Sequence, residues 1–159
     1  MASLPPRPVR DSQVERAEIV LPNDANPLGN ILGGRVMHLI DITAAIAAQR
    51  HSRRQVVTAS IDEVDFHHPI TVGQLIILKA SVNFAGRTSM EIGVKVFSED
   101  ILTGEQQHTS SAYLTFVALD DHGRPTPVPG VIPETPDEQR RERDAQQRRE
   151  RRLKRVKGT

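Results

Sequence analysis

No cysteine occurs in the 159 residues, which excludes a disulfide framework, a thiolate metal site and a cysteine nucleophile. Any catalysis therefore rests on oxygen or imidazole groups. Tryptophan is absent, tyrosine occurs once and aromatic residues make up 3% of the chain, so stacking platforms for bases are missing and single-strand nucleic-acid binding is disfavoured. No run approaches the roughly 18 apolar residues of a membrane helix. Met1 to Asp11, rich in Pro and Arg, lacks the apolar stretch of a secretion signal. These absences lead to the expectation of a cytoplasmic protein with a disordered N-terminus over residues 1–11.

What is present suits one catalytic domain. At 37% hydrophobic content the chain can fill a single modest core, built from Val, Ile, Leu and Ala. The net charge of +1 hides an asymmetry: Asp137 to Thr159 holds ten Lys/Arg against five Asp/Glu, and the remainder eleven against fifteen. The basic tail, 137–159, reads as a polar helix or disorder behind a Pro-rich linker from Pro125 to Pro136. Ser12 to Leu21 reads as a first strand, and the Pro, Gly and Asn residues from Pro22 to Asn30 form a loop. From Arg35 to His51 the residues Val36, Leu39, Ile40, Thr43, Ala44 and Ala47 recur at helical spacing, with Met37, Ile42, Ala45, Ile46 and Ala48 filling most of the circumference. This pattern predicts a helix wrapped by other structure. Four extended runs follow: Val56 to Phe66, Leu75 to Phe84, a strand through Met90, Ile92, Val94 and Val96, and His108 to Leu119. The expected fold class is α+β, one antiparallel sheet curled around a central helix of about residues 33–51, in a domain over residues 12–136.

Asp41 is the one acidic residue in that apolar helix. It pairs structurally with Arg35, His38 or a sheet residue, or it is a catalytic carboxylate, and on its own it does not choose. Gly33 and Gly34 at the helix start supply free backbone N–H groups at the positive end of a helix dipole, which suits a developing oxyanion. Asn26 in the preceding loop is either a turn former or a side-chain donor. Arg87 beside a turn glycine is a solvated strand end or a phosphate contact. His67 and His68 are adjacent, so on a strand end they point in opposite directions, and no cluster of metal spacing accompanies them; no metal site is expected.

Asn26, Gly29, Asn30, Gly33, Gly34, Met37 and Asp41, followed by Phe66, Pro69 and Gly73 and then by GRTSM from Gly86 to Met90, resemble the cytosolic acyl-CoA hydrolase family of hotdog thioesterases, which includes bacterial YciA-type and tandem-domain brain enzymes. The resemblance spans roughly Val14 to Pro136. It implies hydrolysis of acyl-CoA to a carboxylic acid and CoA, with Asp41 as general base or nucleophile and Asn26 paired with it from another protomer. It further implies that the Gly34 N–H polarises the thioester carbonyl and that Gly86, Arg87, Thr88 and Ser89 lie along the CoA portion. It implies no cofactor beyond the CoA carried by the substrate, and a homo-oligomer built as a trimer of dimers, a hexamer. Arg35 and Leu32 depart from the family pattern beside the Gly-Gly pair and bear on acyl preference. A non-catalytic acyl-CoA-binding module and a hotdog hydratase or dehydratase are the competing readings. Neither nucleic acid nor membrane is an expected partner; most cations of the tail are expected in solvent, with one or two on CoA.

Overall fold

In the computed structural model, which describes residues 4–62 and 64–157, the chain begins with a two-residue strand, β1 (Arg7–Pro8), and a 3-10 turn over Val9–Ser12. Strand β2 (Val14–Ile19), a second 3-10 turn at Pro22–Asp24 and helix α1 (Gly33–Ser52) follow. Strands β3 (Gln55–Asp62), β4 (Leu75–Ala85), β5 (Ser89–Glu99) and β6 (Gln106–Leu119) come next, then a short β7 (Val131–Ile132) and helix α2 (Pro136–Lys157). Five strands form one antiparallel sheet in the order β2-β4-β5-β6-β3, so β2 and β3 are its edges. The expected α+β sheet-and-helix arrangement is present.

Alternation along the strands decides which face meets α1. Leu78, Ala80, Val82, Ile92, Val94, Val96, Ala112, Leu114, Phe116 and Ala118 are buried on the inner face, against Val36, Leu39, Ile40, Ala44, Ala47 and Ala48 of the helix. Each fully buried branched side chain of this kind is worth about 1.5–3 kcal/mol. The helix is not wrapped on all sides, however. Met37, Asp41, Ile42, Ala45 and Ile46 are half-buried and His38 is exposed, leaving a side of α1 that the single chain does not cover.

The opposite, outer face of the sheet carries α2. Thr135 Oγ1 accepts the Glu138 N–H (3.1 Å) as an N-cap, Pro136 opens the helix, and Asp137 and Glu138 sit in the first turn. The run of Arg, Gln, Glu and Ala that follows has high helix propensity. Charge matching, more than an apolar stripe, docks it. Arg148 Nε and Nη2 each donate to a Glu91 carboxylate oxygen at 2.9 Å, and Asn83 Nδ2 donates to Glu91 Oε2 at 3.0 Å. The Arg148 guanidinium also lies 3.7 Å from the Tyr113 ring centroid, and Arg152 Nη1 donates to Asp62 at 2.7 Å. Gly93 makes room for this network, because a Cβ there would meet Asn83 Nδ2 at 2.7 Å. Burial works most strongly against the Arg148 charge, but the hydrogen bonds and charge of Glu91 outweigh it and hold its pKa above the usual value.

Several boundaries differ from the sequence reading. Of the stretch expected to be disordered, residues 1–3 lie outside the described residues, but Arg7–Pro8 pairs with Val131–Ile132 and Val9 is 3% exposed in the core. Arg7 Nη1 donates to the carbonyl of Arg50 at 3.0 Å, and the buried Ser12 hydroxyl links Val9 O (2.7 Å) to the Val82 N–H (3.0 Å). A single Val between Pro8 and Arg10 has no periodicity, so its docking was invisible in the pattern. The segment read as a linker likewise folds back, with Thr126 N–H bonded to Ala118 O (2.9 Å) and Val128 in the core. The β3 run stops at Asp62, short of Phe66. The tail is helical through residue 157 and packs on the sheet; residues 158–159 lie outside the described residues.

Candidate active site

Asp41 sits on the uncovered side of α1, half-buried. Its Oδ1 accepts a hydrogen bond from Thr58 Oγ1 of β3 at 2.7 Å. Thr58 lies opposite Phe116 in register, on the inner face of the edge strand, and the irregularity after it turns Ser60 opposite Thr115 on the outer face. Asp41 Oδ2 has no partner among the described residues. Arg35, one of the structural partners weighed for Asp41, is engaged elsewhere, with Glu18 and Asp24, each at 3.3 Å. Thr58 was not singled out in the sequence; its place on the inward parity of a β-rich run was the available signal, and a lone Thr carries little weight there.

Asn26 is a turn former. Its Oδ1 accepts the backbone N–H groups of Leu28 (3.0 Å) and Asn30 (3.1 Å), closing a turn. That commitment orients the amide, leaving Nδ2 as a fixed donor with no acceptor among the described residues. Gly34 is exposed, and nothing lies within 4 Å of where a Cβ would stand. Leu32 and not a polar residue precedes the helix, with no side-chain cap, so the Gly33 and Gly34 N–H groups remain unengaged at the dipole's positive end. Phe66 covers Gly33, its ring 3.8 Å from that glycine's Cβ position.

One distance rule constrains how these groups work together. Gly34 and Asp41 are seven residues apart on one helix, about 10 Å along its axis. A single carbonyl carbon cannot be within reach of both, so a site using the two combines them from two copies of the chain. Apolar side chains are exposed nearby: Leu28, Leu32 and Phe66 are 84, 45 and 54% exposed in the segments flanking α1, and Val57 on the edge strand β3 is 46% exposed, apolar surface of the kind that marks an interface.

Gly86 to Ser89 form the tip of the β4–β5 hairpin. The Gly86 N–H donates to Ser89 O (2.8 Å), while Arg87 O and Thr88 O accept the N–H groups of Val128 (2.9 Å) and Ala118 (3.0 Å). The turn is thus pinned from two sides, and the Arg87 side chain is exposed. Two grooves open on the outer face, of about 690 Å³ between α2 and β4–β6 and about 500 Å³ around Asp62, Arg151, Lys154 and Arg155; neither is lined by Asp41 or Asn26. His67 and His68 are exposed in a loop, and no group of three His, Asp or Glu placed to hold a metal occurs among the described residues.

Residues 28–105 match the family model of the thioesterase superfamily. A Bacillus subtilis protein named as an uncharacterized acyl-CoA thioester hydrolase is 45% identical over 129 residues, 81% of this chain and 75% of its own length. The chain belongs to the thioesterase superfamily. Its hotdog fold is the one seen in a solved apo-hexameric acyl-CoA thioesterase, which superposes with a TM-score of 0.93 at 46% identity, covering 96% of this chain and 98% of the other. An acyl-CoA hydrolase from Staphylococcus aureus, solved with butyryl coenzyme A and coenzyme A, superposes at 0.90 with 41% identity over 97% of this chain and 94% of its own. Alanine variants of that thioesterase have been solved at an asparagine, an aspartate and a threonine, the asparagine 15 positions before the aspartate and the threonine 17 after it. Asn26, Asp41 and Thr58 have the same spacing here.

Proposed function

We propose that this chain hydrolyses acyl-CoA thioesters, with Asp41 as the catalytic carboxylate. The observation that carries the reading is Asp41 itself: one oxygen held by Thr58 and the other free, on an apolar, partly uncovered helix. Acting as a general base, Oδ2 takes a proton from water as the water oxygen bonds to the thioester carbon. The C–S bond then breaks, and CoA leaves as a thiolate that recovers the proton. Acting as nucleophile, Oδ2 bonds to the same carbon, expels the thiolate and forms an acyl anhydride that water opens. Both routes build negative charge on the carbonyl oxygen. The N–H of Gly34 is suited to stabilise it, and Asn26 Nδ2 to bind the oxyanion or the attacking water.

The site is assembled between copies of the chain, a reading supported by the Gly34 to Asp41 separation, and the side of α1 left open in the single chain lines the acyl slot. We propose a hexamer arranged as a trimer of dimers, supported by the hexameric relative. CoA lies along Gly86 to Ser89, no further cofactor takes part, and the cytoplasm is the setting. Among the described residues no helix is long and apolar enough to cross a membrane.

The test is release of free thiol from acyl-CoAs of two to sixteen carbons, roughly the range an apolar slot of this class spans, by wild type and Asp41→Ala. Thiol release by wild type and a fall of at least about a hundredfold in the variant are expected. No release at any chain length by wild type means a binding module instead, and an active Asp41→Ala moves the chemistry elsewhere.

A further inference from the structure

Arg148, Arg149 and Arg152 of α2 are half-buried, and they are not equivalent. Arg148 and Arg152 are each matched by a carboxylate, Glu91 and Asp62. Arg149 is half-buried as well, yet no carboxylate lies within ion-pair distance of it among the described residues. Its guanidinium lies above the Phe84 ring, 5.9 Å from the centroid, and against the β4–β5 turn. A methyl group placed on Gly86 would stand 3.7 Å from Arg149 Nε, 3.8 Å from Nη2 and 3.5 Å from Ser89 Oγ, so the guanidinium lies at contact distance from the turn. A partly desolvated cation without a counter-charge is costly unless a ligand supplies one. Arg87 follows Gly86 in the same pinned turn and its side chain is exposed, so a second cation-bearing residue adjoins the glycine that Arg149 touches.

We propose that Arg149 and Arg87 form a phosphate-binding pair that holds the nucleotide end of acyl-CoA at the Gly86–Ser89 turn, making the tail helix part of the substrate site. The inference rests on the acyl-CoA reading above and adds a residue from outside the segment it covers. Guanidinium forks bind phosphate oxygens in a bidentate manner, and two of them suit the several phosphates of CoA. The placement is compatible with reach: Thr58 on β3 and Ser89 on β5 flank β6, opposite Phe116 and Val117, two strand spacings or about 10 Å apart. The pantetheine arm bridges such a gap between the thioester and the phosphates. Docking of α2 does not depend on Arg149, because Arg148 and Arg152 carry its ion pairs.

The experiment compares kcat/KM for butyryl-CoA and for S-butyryl-pantetheine, which lacks the phosphates, in wild type, Arg149→Met and Arg149→Lys. Loss of one charge-assisted contact lowers the CoA-to-pantetheine ratio about tenfold in Arg149→Met, through KM more than kcat, with partial recovery in Arg149→Lys. An unchanged ratio overturns the proposal, since a purely structural role affects both substrates alike. Calorimetric titration with CoA alone separates this from the activity reading. Should the wild type hydrolyse neither ester, hydrolysis fails as a function; weaker CoA binding by Arg149→Met still supports the phosphate pair, and equal binding removes it.

Discussion

At the scale of single residues, the Asp41 to Thr58 contact sets the orientation of the reactive carboxylate. Removing the Thr58 hydroxyl frees Oδ1 without unbalancing a buried charge, since Asp41 is half-exposed. Thr58→Val is therefore expected to lower kcat by about ten- to a hundredfold, the range for a lost positioning contact, while thermal stability stays within a few degrees. Activity equal to wild type shows that Asp41 needs no such anchor. Asn26→Ala removes both a fixed donor and a turn clamp; a loss of one to three orders of magnitude in kcat is the estimate for one oxyanion or water contact, and an unchanged rate takes Asn26 out of the site. Asp41 was visible in the sequence because a carboxylate departs from its apolar helix, whereas Asn26 and Gly34 stood out through the motif they share with it. Thr58 conforms to its strand, so nothing marked it before β3 was seen beside α1.

At the scale of elements, α2 is the segment whose role changed most between sequence and structure. Its polar, Arg- and Gln-rich composition left helix or disorder open. Its docking was not readable, because the partners are single polar residues scattered over β3, β4, β5 and β6. Glu91 is 3% exposed and accepts from both Arg148 and Asn83. Glu91→Ala leaves those donors without their acceptor beside a groove that admits water and is expected to destabilise the fold by about 2 kcal/mol, within the range for a hydrogen bond to a charged group. Chemical denaturation measures this directly, and a loss below about 1 kcal/mol means that α2 is held by other contacts.

At the scale of the whole molecule, two linked behaviours follow. The first is complementation: if a site draws Asp41 and Asn26 from different protomers, an Asp41→Ala and Asn26→Ala mixture that exchanges protomers contains some sites with both residues intact. Random pairing gives about a quarter of wild-type activity in a two-fold arrangement; a mixture no more active than its two components places both residues in one chain. The second is pH. His51 is fully buried, with Nε2 bonded to Pro129 O at 2.8 Å and Nδ1 unpartnered, and burial lowers its pKa against the opposing effect of that hydrogen bond. The unfolded chain therefore takes up a proton first as the pH falls. Stability is complete above the usual histidine value of 6.5 and declines as the pH drops through it toward the folded-state value. Denaturant midpoints between about pH 8 and pH 5 are expected to fall more steeply for the wild type than for His51→Gln, and parallel slopes refute the assignment.

Hydrophobic spacing was sufficient by itself for the α1 stripe, the alternating strands and the antiparallel sheet around a helix. These follow from periodicities of 3.6 and 2, which are local properties of the chain. Only the tertiary structure decided that Val9 and Val128 join the core, that one side of α1 is left open, that Thr58 reaches Asp41, and that Arg149 meets the Gly86 turn. Each of these is a contact between residues far apart in the chain, whose energy depends on which surfaces the fold brings together. A linear pattern records which faces are apolar; it carries no record of which polar groups will meet across them.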